Sequence, residues 1–132
     1  MKGRLLRVLF SPEWCRAHPT TLVAFGDNMA RRGTAGQAII RFQPNAVGVP
    51  TKWRPSRDPG AYFKDSDLDH MEVRRAIDAP LSRLLNAILA GTDVALSPDG
   101  PGTGLAELPA RAPLVMKRID AWIEQMQREA RA

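Results

Sequence analysis

The stretch "TLVAFGDNMARRGTAGQAII", residues 21–40, decides how the chain is read. "TLVAF", 21–25, is a continuous apolar run, short enough for a strand buried on both faces. Behind it come an Asp-Asn pair, two arginines and Gly26, Gly33 and Gly36. "TAGQAIIRF" then reads as a short helix that stops near Gln43, because Pro44 lacks an N–H and biases its predecessor away from helix. A strand, a glycine-rich polar turn and a helix in that order suggest a parallel sheet, whose ligands bind beyond the strand C-termini.

The same order recurs outward from this stretch. "RLLRVLF", 4–10, reads as a strand whose arginines suit a sheet edge. "SPEWCRAHP" reads as a turn-rich connection, and "AVGVP", 46–50, as another buried strand. Residues 51–67 form a long loop with two prolines and many charges, the kind that carries function or mobility. Ser66 is a good N-cap, and Asp78 with Pro80 marks a second helix start, so one kinked helix or two fit equally. Leu81, Leu84, Leu85, Ile88 and Leu89 make an apolar stripe that Gly91 ends. "DVALS", 93–97, is a strand, and "PDGPGTGLAELP" a second glycine-rich loop. The last helix, about 113–130, buries Val115, Ile119, Trp122, Ile123 and Met126. The expected fold is α/β, a three-layer sandwich with a mixed, largely parallel sheet, in a single domain over residues 1–132.

Composition narrows the function classes. Hydrophobic residues make up 44% of the 132 and charged ones 25%, as in globular domains. No apolar run approaches the ~20 residues that span a bilayer, and the first apolar segment is too short for a secretory signal. A cytoplasmic protein with no membrane partner is expected. Cys15 is the only cysteine, which excludes an intrachain disulfide, and it reads as a small hydrophobe. With His18 and His70 the only histidines, no metal and no cofactor are expected. The formal charge of +5 attracts anions but does not choose between nucleic acid and nucleotide.

The candidate site residues come from the two glycine-rich loops. Both follow a strand, so a parallel sheet brings them to one edge, where backbone N–H groups can approach phosphate closely. Gly33 and Gly36 belong to the first loop; Gly100, Gly102, Thr103, Gly104 and Leu105 belong to the second. Asn28 can donate and accept at once, which suits a ribose diol, and it equally suits an Asx turn. Asp27 is a ligand contact or a turn cap; Gln37 is a ligand contact or a polar surface residue. Lys52 emerges where the strand of "GVPTKWRPSR" ends, with Arg54 and Arg57 close by. Neighbouring cations lower a lysine pKa, and a neutral amine can attack the anomeric carbon of an opened ribose as a Schiff-base nucleophile; a charged lysine that pairs with phosphate or solvent is the alternative. Trp53 reads as core, whereas Tyr62 can stack on a base or cover the core.

In this order the pieces resemble a reduced macrodomain, the fold that binds ADP-ribose. "AFGDN" followed by "GTAGQAII" is similar to the Asn-containing strand end and Gly-rich helix entry of macrodomains. "VALSPDGPGTGLAELP" is similar to their phosphate loop, and "VPTKWRPS" to the "PTK" segment of the branch that removes ADP-ribose from DNA or acidic protein side chains. Segments like "GDN", "GQA" and "PTK" also resemble those of short phage and bacterial proteins. The resemblance covers about residues 22–127 and implies Asn28 at the distal ribose, the two loops around ribose and diphosphate, and Lys52 as the catalytic residue. It implies ADP-ribose or a related nucleotide as ligand, with ADP-ribosylated DNA or protein as partner. In part of the lysine branch an acidic residue follows Gly-Leu; here Ala106 stands there, with Glu107 next. A basic nucleic-acid-binding accessory protein, or a module that sequesters a nucleotide signal without chemistry, are the alternative readings.

Overall fold

The computed structural model describes all 132 residues. Four strands, β1 (Leu5–Arg7), β2 (Leu22–Asp27), β3 (Ala46–Pro50) and β4 (Val94–Leu96), form one sheet in the order β1-β4-β2-β3. Every strand pair is parallel, so the fold is α/β as expected, and the sheet is wholly parallel where a mixed one was anticipated. The one antiparallel pairing is an isolated bridge between Lys52 and Tyr62, outside the named strands.

Alternation along the central strands sorts two cores. Val23 and Phe25 of β2 point to one face with Ala95 of β4, and join Cys15, Ala38 and Ile40. Ala24, Val94, Leu96, Val47 and Val49 point to the other, under the helices α2 (Met71–Leu89) and α4 (Pro113–Glu129). The molecule is therefore three layers deep. α1 (Pro12–Ala17) and a 3-10 turn at Gly36–Ile40 cover the first face, and α2 and α4 cover the second. The crossovers β1→β2 and β2→β3 move in one direction along the sheet and pass over the first face. The return β3→β4 passes over the second, as one common crossover hand requires.

Several elements depart from sequence expectation. α1 occupies the stretch read as a turn; the Ser11 hydroxyl caps it by accepting the Trp14 N–H at 3.0 Å, and Pro12 sits where a missing N–H does no harm. Residues 36–40 wind as a 3-10 turn rather than the short α-helix the sequence suggested, a length in the usual range of such turns. α2 runs unbroken through Pro80 and starts at Met71, after a 3-10 turn over Asp65–Asp69 that contains Ser66. An interior proline costs about 3 kcal/mol. Val73, Ile77, Leu81, Leu84, Leu85 and Ile88 form one buried stripe across the proline, each worth about 1.5–3 kcal/mol, so packing wins. A four-residue helix, α3 (Leu108–Arg111), precedes α4. No helix is long and apolar enough to cross a membrane.

Candidate functional site

β2 and β4 are neighbours, yet the chain leaves them toward opposite faces. From β2 it enters the 36–40 turn on one side, and from β4 it enters α3 and α4 on the other. Such a divergence opens a crevice at the strand C-termini. A cavity of about 410 Å³ occupies this place. Its wall includes Gly26, Asp27 and Asn28 from the end of β2, residues from the 32–38 stretch, Thr51 and Lys52 from the end of β3, and Gly102, Gly104, Leu105 and Ala106 behind β4. Pro55, Ser56, Arg57 and Tyr62 complete it.

The two glycine-rich loops meet directly. A Cβ built on Gly36 would lie 2.9 Å from Leu105 Cδ1, and one on Gly26 would lie 3.5 Å from the Gly102 nitrogen. Gly102 has φ +91° and faces the Leu108 side chain, with Leu108 Cγ 3.1 Å from a built Cβ, so only glycine fits there without strain. The backbone N–H groups of residues 33–37 and 102–106 have no acceptor within the chain. Eight of these ten residues line the cavity. The wall thus carries two runs of free donors, the arrangement that backbone nests use for anions.

Gln37 holds the loops together. Even-numbered N–H groups of β2 face β4, as Leu22 N–H shows by bonding the Asp93 carbonyl at 3.0 Å. The β2–β4 pairing ends at Val23↔Ala95. Gly26 N–H therefore finds no strand partner and donates to Gln37 Oε1 at 2.8 Å. Gln37 Nε2 donates onward to Ser97 Oγ at 3.0 Å and the Gly100 carbonyl at 3.2 Å. One carboxamide bridges the gap that a ladder bond would have closed. This bracing role differs from both sequence readings of Gln37.

Arg41, one turn further on, braces the first loop. Its Nη2 donates to Asp27 Oδ1 at 2.5 Å and to the Arg32 carbonyl at 3.1 Å, and its Nε to the Gly33 carbonyl at 2.8 Å. The Asp27 side chain is only 2% exposed and also accepts the Asn28 N–H at 2.7 Å. Asn28 Nδ2 donates to the Arg32 carbonyl at 2.8 Å, which closes the turn. Asp27 and Asn28 thus stand at the wall with much of their bonding turned inward. Gly100 and Thr103 lie outside the wall; the Thr103 hydroxyl donates to the Gly100 carbonyl at 3.0 Å and shapes the loop from behind. Gly33, Gly36, Gln37, Gly102, Gly104, Leu105 and Lys52 are brought together as the sequence suggested.

Lys52 has no carboxylate partner. Its Nζ donates to the Ser56 carbonyl at 2.7 Å and sits 4.2 Å from the Tyr62 ring centre. The Arg111 guanidinium carbon lies 3.7 Å from the same centre, so two cations already occupy the ring that the sequence offered for base stacking. Burial lowers the Lys52 pKa below the ordinary 10.5; Arg111, Arg54 and Arg57 lower it further against the opposing pull of Glu107. Trp53 packs on the larger core and meets Phe63 edge-on at 5.4 Å, as a core residue should. Arg32 and Arg57 add cations to the wall, whereas its one carboxylate, Asp27, is paired with Arg41. Sequence reasoning placed Arg57 beside Lys52 without assigning it to the wall, and it missed Arg41, Thr51 and Ser56, which no local signal marks.

Residues 6–122 match a family of unknown function, DUF7831. No curated protein and no solved structure shows a significant match to the chain.

Proposed function

We propose that this chain, which belongs to the DUF7831 family, binds ADP-ribose or a related nucleotide in the cleft between β2 and β4, with Lys52 placed for chemistry on the sugar. The observation that carries this reading is the pair of amide runs without internal acceptors, 33–37 and 102–106, on loops that line one cavity together with Arg32, Lys52 and Arg57. Free N–H donors and unpaired cations select a compact anion with several acceptor oxygens, and a diphosphate is such a group. The macrodomain-like order of the segments supplies the rest of the ligand. A cytoplasmic setting, where nucleotides are met, belongs to the same proposal.

Lys52 supports a hydrolytic version of this reading. A neutral Nζ attacks the sugar's anomeric carbon; the new N–C bond forms as the C–O bond to the leaving group breaks, and the electron pair departs with that oxygen. The amine proton passes to solvent, and water then cleaves the N–C bond and restores the amine. The lowered pKa favours the neutral amine this step needs. Calorimetry and thermal melting test the proposal. ADP-ribose should raise the melting temperature, and Lys52→Ala should weaken binding only several-fold while it ends turnover of ADP-ribosylated DNA or protein. An unchanged melting temperature with millimolar ADP-ribose, NAD and related nucleotides would contradict it.

A further inference from the structure

Lys52 and Arg111 come from distant parts of the chain and meet on one aromatic ring. An isolated antiparallel bridge pairs Lys52 with Tyr62, and Trp53 N–H donates to the Ala61 carbonyl at 2.8 Å, so backbone pairing fixes the ring beside the lysine. Lys52 Nζ lies 4.2 Å from the ring centre, and the Arg111 guanidinium carbon lies 3.7 Å from it. α3 delivers Arg111. Glu107, where this helix starts, has φ +50°, a left-handed backbone that residues with side chains rarely adopt. The bend turns the chain out of the cavity wall and into α3. Strain of this kind persists only where the surroundings impose it, and it collects at working sites.

Burial is the largest influence on the Lys52 amine and favours its neutral form. Two groups work against it. An aromatic ring attracts an ammonium, so Tyr62 alone would keep Lys52 charged. The Glu107 carboxylate pulls the same way. Arg111 opposes both. Its guanidinium stays charged at every relevant pH. It takes the ring at the closer range, and its Nε donates to Glu107 Oε2 at 3.4 Å. Its own charge also repels an ammonium at Nζ. Arg54 and Arg57 act in the same direction from the lysine's own segment, each less than Arg111 does. Arg54 is partly engaged elsewhere, with the Gly60 carbonyl at 3.3 Å and Asp58 at 3.8 Å. The Nζ bond to the Ser56 carbonyl, 2.7 Å, is open to a neutral amine and an ammonium alike.

We propose that Arg111 is a positioning residue for Lys52: by engaging Glu107 and the shared ring, it keeps the lysine amine free of a carboxylate that would otherwise hold it as an ammonium. The proposal rests on the nucleophile reading of Lys52. It adds the device that decides whether the cleft acts on the sugar or only holds the anion.

Side-chain NMR of the ligand-free protein tests it. The chain has four lysines, Lys2, Lys52, Lys64 and Lys117, few enough for their Cε signals to be followed through a pH titration. Lys52→Ala identifies the Lys52 signal by its loss. The variants are Arg111→Gln and Glu107→Gln; the native side chains are 40% and 50% exposed, so the fold should persist. Arg111→Gln removes a repelling cation and frees Glu107, so the Lys52 midpoint should move to higher pH. Glu107→Gln removes the attracting carboxylate, so the midpoint should move to lower pH. Turnover of ADP-ribosylated DNA or protein near neutral pH should fall several-fold in Arg111→Gln, with its alkaline limb displaced as the midpoint is, while ADP-ribose affinity does not fall. Midpoints that move the same way in both variants, as a purely structural disturbance would produce, overturn the proposal. An unmoved midpoint in Arg111→Gln overturns it too. The titration needs no ligand, so its outcome is separate from the melting experiment that tests the cleft reading.

Discussion

On one face of the sheet a cluster of twenty buried apolar residues lies under α2 and α4; on the other, six lie under α1 and the 36–40 turn. The larger side is held by shape and area. The smaller side is held at its rim by polar contacts, with Gln37 across Gly26, Ser97 and Gly100, and Arg41 across Asp27, Arg32 and Gly33. The contrast separates two tasks. Apolar burial sets stability without fixing backbone donors in space. Short directional bonds add modest stability but hold loop amides where a ligand can use them.

Core truncation should have the largest effect. Leu84→Ala on the fully buried face of α2 should cost about 2–5 kcal/mol in urea unfolding, while the remaining folded molecules keep their ligand affinity. The opposite pattern should follow from Gln37→Ala. It leaves Gly26 N–H without a partner and costs about 1–2 kcal/mol in stability, yet it should weaken ADP-ribose by tenfold or more in calorimetry. If stability and affinity fall in the same proportion for both variants, the division between the faces is wrong.

A smaller effect sharpens the comparison from the stable side. Arg118 clamps Asp78 with bonds of 2.9 and 2.6 Å and Trp122 Nε1 adds a third at 3.0 Å, which ties α4 to α2. Burial alone would raise the Asp78 pKa, but the Arg118 and Trp122 hydrogen bonds and the Arg118 charge outweigh it, and the pKa lies below the ordinary value. A carboxylate with a depressed folded pKa stabilises above its unfolded pKa, about 3.9, and that contribution fades as pH falls through the folded value. Acid melts of Asp78→Asn should therefore show a shallower loss of stability below about pH 4 than wild type.

The smallest effect concerns Lys52. Its charged form favours the anionic ligand, and its pKa in the free protein lies below 10.5. Ligand affinity should be flat at lower pH and decline several-fold as pH rises through that pKa, while turnover rises over the same interval. Calorimetry and rate measurements across the alkaline range check the two opposite limbs. Matching limbs would remove the nucleophile role.

Much of the stable side was legible in the sequence because its signals are periodic. The stripe from Leu81 to Ile88, the stop at Gly91 and the apolar positions of α4 each repeat at helical spacing. β2, β3 and β4 announced themselves as apolar runs between turn residues. α1 did not, although Ser11 and Pro12 are proper start signals, because six residues bury only Cys15 fully and give no period to read. On the site side, the two glycine loops could be paired by topology alone. The braces could not be seen. A side chain such as Gln37 that bonds groups 11, 60 and 63 positions away leaves no local trace. Arg41 likewise bonds Asp27 and the carbonyls of residues 32 and 33 from eight to fourteen positions away, and no local pattern marks it.

Backbone amide shifts, followed by ¹⁵N NMR during titration with ADP-ribose, test the central claim most directly. The account predicts saturable perturbations concentrated at the N–H groups of Gly33, Gly36, Gly102 and Gly104, with the amides of α2 and the far half of α4 unmoved. Unmoved glycine amides at saturating ligand, or shifts that cluster on a different surface, would contradict it.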